Sequence, residues 1–268
     1  MSGLLSRVLT AGLLLAVFVP AALWAPSGLW GALMAIVVGL AGFEWARLGH
    51  FTQAAARIYG IALALAALAM PVLAGADWPA LQSGLVMLAA AFWIVVAPLW
   101  LLRRWRVSSA TLRAVVGGLL LLALWAALMD LHARGPRVLL GAAMVVWIAD
   151  SAAYFAGRRF GRHKLAPAIS PGKTWEGVVG ALLALALYGI ALGRFAGVPP
   201  WPLLPLLAIL LYVSVLGDLF ESWIKRVSGM KDSGALLPGH GGVLDRIDAL
   251  ASTLPVATGM LMWLEAQP

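Results

Sequence analysis

The sequence predicts an all-α integral membrane protein that crosses the bilayer about nine times, because a spanning helix needs about 20 apolar residues and runs of about that length recur along the chain. Hydrophobic residues make up 63% of its 268 residues and charged residues only 11%, whereas soluble domains carry about 25% charged residues. The net charge of +8 would favour nucleic acid in a soluble protein. Here we expect no nucleic acid, but basic cytoplasmic loops that face anionic membrane lipids.

Nine apolar segments are separated by turn and charge signals such as Pro26-Ser27-Gly28 and Gly197-Val198-Pro199-Pro200. The first segment follows a single arginine like a signal peptide, but its length and the second span close behind it favour a retained helix. The predicted spans are 8–25, 28–43, 58–75, 81–101, 111–130, 137–157, 175–194, 199–220 and 249–265. Tryptophans near span ends predict anchors at the membrane surface. Examples are Trp24, Trp30, Trp100, Trp175 and Trp201.

The distribution of Lys and Arg predicts the orientation. With a cytoplasmic amino terminus, 16 of the 19 Lys and Arg residues lie in cytoplasmic segments, and only Arg134, Arg137 and Arg194 lie outside. Because basic residues accumulate on the cytoplasmic side, we expect an external carboxyl terminus. The protein is then a multi-pass protein of a bacterial-type inner membrane with its chemistry at the cytoplasmic face.

Polar residues are concentrated in the second half of the chain. We therefore divide it into a scaffold of transmembrane helices, 1–135, and a catalytic transmembrane region, 136–268, with cytoplasmic loops 158–174 and 221–248. In the first half, Glu44 and His50 could contact substrate, but the nearby Arg47 favours a surface ion pair instead. The chain has no cysteine, which excludes a thiolate metal site and a cysteine nucleophile.

The segment 222–248 carries seven charged side chains and one histidine in 27 positions. Its cations precede a glycine-rich turn, and its carboxylates surround that turn. Cations and free backbone N–H groups suit phosphate oxygens, and carboxylates suit a hard cation such as Mg²⁺. The segment therefore favours a phosphate-rich, metal-bound ligand, in which His240 and its flanking glycines contact nucleotide or phosphate. An ordinary charged loop between two membrane helices is the alternative.

Carboxylates in membrane spans are costly unless they are paired or bound to metal. Asp218 and Glu221 have the spacing i, i+3 at the inner end of one span, and Asp245 and Asp248 repeat it where the last span begins. Such pairs share a helix face, so we expect them to converge on the cytoplasmic side. The cluster would be repulsive without cations, which favours two bound ions. A salt bridge to a neighbouring arginine is the alternative for any single carboxylate.

The tripeptide Gly172-Lys173-Thr174 looks like the end of a phosphate-binding P-loop. That motif requires glycine where this chain has Pro167, and no strand is predicted before it, so we exclude it. Ser170 begins a predicted turn, and Lys173 and Thr174 lie at the amino end of a predicted helix, where an anion can bind. The alternative is that these residues only cap the helix.

Both polar segments resemble the signature of phosphatidate cytidylyltransferases (CDP-diacylglycerol synthases). Residues 222–248 match S-x-hydrophobic-K-R, four residues, K-D, then P-x-H-G-G-x-x-D-R-x-D, position for position. Residues 150–177 match D-[ST]-x-A-Y-x-x-G-[RK], then S-P, a small or basic residue and K-[ST]-x-E-G. The two segments cover about a fifth of the chain, and the remaining spans match only as apolar helices.

The resemblance implies conversion of CTP and phosphatidate to CDP-diacylglycerol and pyrophosphate by a homodimer that uses Mg²⁺. It implies that Asp218 and Asp245 hold the metal ion. We add Asp248 as a third predicted ligand, and we leave open whether a second cation binds. The residues to which we assign catalysis are Asp218, Lys225, Arg226, Lys231, Asp245, Arg246 and Asp248. Those to which we assign substrate binding are Ser170, Lys173, Thr174, Ser222, His240, Gly241 and Gly242.

Two other functions fit part of this pattern. A CTP-dependent lipid kinase would share the basic loops and the metal site, but it would release CDP instead of pyrophosphate. A transporter for an anionic solute would place charges and broken helices near the bilayer midplane. The charges of this chain lie at the inner boundary, and spans one to five contain almost none, which disfavours transport.

Overall fold

The computed structural model of the chain describes residues 3–197, 199–237, 239 and 241–267. These residues form ten α-helices and one β-hairpin. The helices are α1 (Gly3–Trp24), α2 (Ser27–Leu48), α3 (Gln53–Ala74), α4 (Trp78–Ala91), α5 (Ala97–Arg103), α6 (Ala110–Ala133), α7 (Pro136–Phe160), α8 (Trp175–Ala196), α9 (Leu203–Val227) and α10 (Leu244–Glu265). The strands β1 (Lys164–Ala166) and β2 (Ser170–Thr174) lie between α7 and α8.

The all-α, polytopic class is confirmed. Seven helical segments within the described residues are long and apolar enough to cross a membrane. Two features account for the difference from nine predicted spans. The predicted spans 58–75 and 81–101 lie in one helical segment, Gln53–Arg103, and α1, which matches the first predicted span, is not among the seven segments.

The segment Gln53–Arg103 is not one regular helix. Gly75 ends α3 with φ +53° and begins a 3₁₀ turn, Gly75–Asp77, before α4. Glycine adopts this backbone conformation without the steric cost that a side chain would add. A π-helical turn, Phe92–Val96, then joins α4 to α5. The interruption at Gly75 thus lies where the sequence predicts a break between two spans, and the π-helical turn lies within the second of these spans.

Two helices extend further into the polar segment 221–248 than the predicted spans do. Helix α9 continues to Val227 and α10 begins at Leu244, so both ends of the predicted loop 221–248 are helical. Lys225 and Arg226 lie in the last turn of α9, where cations interact favourably with the helix dipole. The charged signature residues are therefore carried mostly by helix ends.

Helix α10 lies at the centre of the bundle. It packs against α2, α4, α6, α7 and α9, and nine consecutive residues, 251–259, are buried. A helix buried on all faces belongs to the core, and the small residues of this run let its neighbours approach closely. A side chain at Gly217 of α9 would collide with Ser252 of α10. These two helices thus approach closely at Gly217, directly beside Asp218.

Tryptophan side chains join α2 to α6. The indole N–H groups of Trp30 and Trp45 in α2 donate to the carbonyl oxygens of Leu128 (3.1 Å) and Arg113 (2.8 Å) in α6. Trp125 of α6 donates in return to the carbonyl oxygen of Gly31, at 2.9 Å. Each bond satisfies a buried indole donor and holds the two helices in register.

The prediction that tryptophans near span ends are surface anchors is wrong for two of the five examples and stays a prediction for the other three. Trp24, Trp175 and Trp201 are exposed, whereas Trp30 and Trp100 are buried. Trp100 donates its indole N–H to the carbonyl oxygen of Trp105 at 3.0 Å. Position near a span end does not reveal whether an indole faces lipid or a neighbouring helix.

We predict that Gly117→Ala destabilises the protein by about 1–3 kcal/mol, because its methyl group would collide with the Trp45 indole. Gly84→Ala is the matched control, since a methyl group there meets no atom within 4 Å and alanine favours a helix more than glycine does. Unfolding of both purified variants by sodium dodecyl sulfate in mixed micelles measures the effect. Equal stability of the two variants would contradict the close contact of α2 with α6.

Candidate active site

The polar residues of both signature segments lie at one end of the helix bundle. This end includes the carboxyl ends of α7 and α9, strand β2, and the amino ends of α8 and α10. Helix α9 contacts β2, α7, α8 and α10. The segments 150–177 and 222–248, which are distant in sequence, therefore meet in space.

The first charged cluster is centred on Lys225. Its Nζ atom lies 2.5 Å from Glu221 Oε2 and 2.7 Å from Asp245 Oδ1. The side chain of Glu221 is only 4% exposed and that of Lys225 only 13%. Charges removed from water in this way are tolerated when they are paired and hydrogen-bonded. Lys225 thus pairs with one carboxylate from α9 and one from α10.

Asp245 also holds both ends of the loop 233–242. Its Oδ2 atom accepts hydrogen bonds from the backbone N–H groups of Gly242 (2.8 Å) and Ser233 (3.0 Å). The bond from Asp245 back to Gly242 resembles the reciprocal bond of a capping box at a helix start. Both carboxyl oxygens of Asp245 are thus engaged by donors of this chain.

The second charged cluster joins the hairpin to α9. Lys173 Nζ lies 2.6 Å from Asp218 Oδ2, and their side chains are 23% and 33% exposed. The carboxylates of Asp150, Asp218 and Asp248 interact electrostatically with one another and with Lys173. This cluster is more accessible than the first, so it offers the more open surface for a charged ligand.

The β-hairpin presents Lys173 to this cluster. Strands β1 and β2 pair antiparallel, with Lys164 opposite Thr174 and Ala166 opposite Ser170. The Arg226 Nε–H group donates to the carbonyl oxygen of Ile169 at 3.3 Å, which ties the hairpin turn to α9. The hairpin was not predicted from the sequence. Ser170 was expected to begin a turn and Lys173 to lie at the amino end of a helix, but both lie in β2.

The predicted helix start at Thr174 is confirmed. Thr174 is the N-cap of α8, and its Oγ1 atom accepts the N–H of Gly177 at 3.2 Å. Its side chain is buried, and a Cβ at Gly157 of α7 would lie 2.9 Å from Oγ1. The capping role is therefore present in the structure, and substrate binding by Thr174 stays a prediction.

The remaining predicted site residues differ in exposure. Lys231 and Arg246 are exposed beside the loop, whereas Ser222 is buried in α9. Gly241 has φ +81°, and a Cβ there would lie 2.7 Å from Asp245 Oδ2, so glycine fits both its conformation and its surroundings. His240 lies outside the described residues, and its contact with nucleotide or phosphate stays a prediction.

The predicted metal ligands are divided between the two clusters. Within the part of the chain that the structure describes, no three histidine, aspartate or glutamate side chains are grouped so as to hold one metal ion. Asp218 and Asp248 lie on neighbouring helices and interact electrostatically, and carboxylate oxygens suit Mg²⁺. This pair fits a hard cation better than Asp245 does in its observed bonds. The set Asp218, Asp245 and Asp248 stays a prediction.

Glu44 of α2 is the site residue that the sequence interpretation placed wrongly. It is 1% exposed, so it is not a surface partner of Arg47. Its carboxylate accepts hydrogen bonds from Ser233 Oγ (3.1 Å) and the N–H groups of Val243 (3.1 Å) and Leu244 (2.8 Å). The cost of a carboxylate in a membrane span is the signal that could have identified it.

Known proteins resemble this chain over nearly its whole length. Residues 5–264 match the family model described as "Cytidylyltransferase family". A phosphatidate cytidylyltransferase of Pseudomonas aeruginosa is 37% identical over 272 residues, which cover 95% of this chain and 96% of that protein.

Shorter alignments have higher identity. The phosphatidate cytidylyltransferase of Haemophilus influenzae is 46% identical over 130 residues, which cover 46% of this chain and 44% of that protein. The Brucella suis protein of the same name is 51% identical over 121 residues, which cover 45% of this chain and 43% of that protein.

We predict that Gly242→Ala loosens the loop 233–242, because a methyl group there would collide with Ser233 and with the Glu44 carboxylate. Amide hydrogen exchange at Ser233 and Leu244 should become faster, since faster exchange reports easier local opening. Gly172→Ala is the control, as a methyl group there meets no atom within 4 Å. Unchanged exchange in Gly242→Ala would contradict the close packing of this loop.

We predict that Lys225→Met destabilises the protein by about 3–5 kcal/mol, because it leaves two buried carboxylates without their cation. The double variant Lys225→Met, Glu221→Gln should recover part of that loss, because one negative charge is removed. Unfolding in mixed micelles measures both variants. A single variant as stable as the unchanged protein would show that Lys225 does not neutralise this cluster.

Proposed function

This chain belongs to the cytidylyltransferase family, and we propose that it converts CTP and phosphatidate to CDP-diacylglycerol and pyrophosphate. The observation that carries this proposal is the meeting of two signature segments at one charged site. Lys173 of the first segment pairs with Asp218 of α9, four residues before the second segment, and Arg226 of the second segment donates to the hairpin turn of the first. The relatives that align with this chain are named for the same activity.

The proposed reaction transfers a cytidylyl group. A phosphate oxygen of phosphatidate attacks the α-phosphorus of CTP, a new P–O bond forms, and the bond to the β-phosphate breaks to release pyrophosphate. The cations of the site hold phosphate oxygens and stabilise the negative charge that moves to the leaving group. These cations are Lys173, Lys225, Arg226, Lys231 and Arg246.

We propose that Mg²⁺ is held by Asp218 and Asp248, with Asp245 as a further ligand. When bound, Mg²⁺ would offset charge on the attacking and leaving phosphate oxygens. Asp218 is one-third exposed and lies beside Lys173, so the carboxylate and the cation face the same accessible surface. The acyl chains can then remain in the leaflet while CTP binds from water.

We propose nine spans with a cytoplasmic amino terminus and an external carboxyl terminus. A continuous helix of 51 residues, the length of Gln53–Arg103, would be about 77 Å long, more than twice the thickness of the hydrocarbon core. Its interruption at Gly75 supports two spans, and α1 supplies one more. The excess of Lys and Arg on one side supports the orientation and places the charged end of the bundle in the cytoplasm.

We also propose a homodimer. Helices α7 and α8 are the least buried of the candidate spans. Only 28% and 22% of their most apolar 18-residue stretches lie inside the protein. They lie beside the charged end and leave an apolar face for lipid or a second copy. This part of the proposal is supported by the family resemblance and by that exposure.

The activity is tested with purified protein, phosphatidate, Mg²⁺ and CTP labelled in cytidine. We expect a lipid-soluble cytidine product and one pyrophosphate per turnover. Asp218→Asn should lower the turnover rate by roughly 100-fold or more while the protein remains folded, because the substitution removes a charge beside Lys173. Asp130→Asn is the control, as Asp130 pairs with Arg134 in the turn that follows α6, away from this site.

Two results would overturn the proposal. If CDP is released and phosphate enters the lipid, the protein is a lipid kinase. If the label stays in water at every substrate concentration while uptake into vesicles follows an ion gradient, the protein is a transporter.

A further inference from the structure

Glu44 lies in α2, in the half of the chain that the sequence interpretation treats as scaffold, yet it contacts the loop of the catalytic half. It is almost completely buried and has three hydrogen-bond donors from residues 189 to 200 positions later. A carboxylate buried in a membrane span is destabilising unless such donors satisfy it. The contact therefore holds Ser233, Val243 and Leu244 against α2.

The carboxylate also lies at the amino end of α10. Val243 and Leu244 supply N–H groups of the first turn, which have no acceptor within the helix, and Val243 has no capping side chain of its own. An anion at this end interacts favourably with the helix dipole. Glu44 thus acts as the cap of α10 from a different helix.

Ser233 connects Glu44 to the charged site. Its hydroxyl donates to Glu44 at 3.1 Å, and its backbone N–H donates to Asp245 Oδ2 at 3.0 Å. Asp245 in turn accepts from Lys225 at 2.7 Å. A continuous chain of polar contacts therefore runs from α2 to the cations of α9.

Two glycines of the loop leave room for this carboxylate. A Cβ at Gly234 or at Gly242 would collide with Glu44. The two positions lie on opposite ends of the loop, so the loop closes around the carboxylate from both sides. This fit is independent of the hydrogen bonds and indicates the same role.

We infer that Glu44 is a positioning residue for the proposed reaction: it fixes the loop 233–242 and the start of α10, and so orients Asp245 and Lys225 toward substrate. The inference rests on the proposed function. Glu44 acts through Ser233 and α10, and it does not contact the reacting groups itself.

The test compares Glu44→Gln, Glu44→Asp and the distant control Glu265→Gln at the other end of α10, where the side chain is 62% exposed. Glutamine has the size of glutamate but no charge. Its amide NH₂ group is a donor and cannot accept a hydrogen bond from the N–H groups. We expect Glu44→Gln to lower kcat by roughly tenfold or more, with the KM for CTP changed less than threefold. Glu44→Asp should retain more activity, and Glu265→Gln should equal the unchanged protein.

A double-mutant cycle separates positioning from general stability. If Glu44 acts through Ser233, the decrease in kcat of the double variant Glu44→Gln, Ser233→Ala should be clearly smaller than the two single decreases combined. Amide exchange should become faster at Ser233, Val243 and Leu244, and stay unchanged in α6. A normal kcat for folded Glu44→Gln, or a loss in proportion to unfolded protein alone, would overturn the inference.

Failure of the inference can be distinguished from failure of the proposed function. An active unchanged protein whose Glu44→Gln variant is equally active refutes the inference alone. An inactive unchanged protein refutes the activity, and the exchange measurement then decides whether Glu44 fixes the loop. Faster exchange confined to the loop supports that role, and unchanged exchange removes it.

Discussion

Burial of charge at one end of an apolar helix bundle is the constraint on which the rest of this structure depends. Glu44, Glu221 and Asp245 are held among membrane helices, where an unpaired carboxylate is strongly destabilising. Glu44 and Asp245 accept hydrogen bonds from distant parts of the chain, and Glu221 forms an ion pair with Lys225 of its own helix, which also pairs with Asp245 of α10. Satisfying these carboxylates brings α2, α9 and α10 together and fixes the loop between the last two helices.

Small residues make that pairing sterically accessible. Gly217 allows α9 to approach Ser252 of α10, and Gly242 allows the loop to reach the Glu44 carboxylate. Helices in lipid associate through close packing and polar contacts, since lipid is as apolar as their side chains. Packing and electrostatics therefore depend on the same helix contacts, and the charged site is part of the bundle core.

The sequence predicted the features that depend on local patterns. The breaks between helices, the cap at Thr174 and the two polar segments all follow from runs of neighbouring residues, and the structure confirms them. The role of Glu44 and the burial of Trp30 depend on partners about 100 to 200 residues away, which a local pattern cannot show. Likewise, Asp218 pairs with Lys173 and Asp245 pairs with Lys225. A local pattern cannot show which lysine each carboxylate meets.

The central claim is that the first signature segment and helix α9, which leads into the second, form one site through the contact of Lys173 with Asp218. The chain has no cysteine, so the variant Lys173→Cys, Asp218→Cys carries only the two introduced thiols. A short bifunctional thiol reagent should link them within one chain in purified protein, as peptide mass spectrometry would show, whereas Lys173→Cys, Glu265→Cys should remain unlinked. Equal linking of both pairs, or no link between positions 173 and 218, would contradict the account.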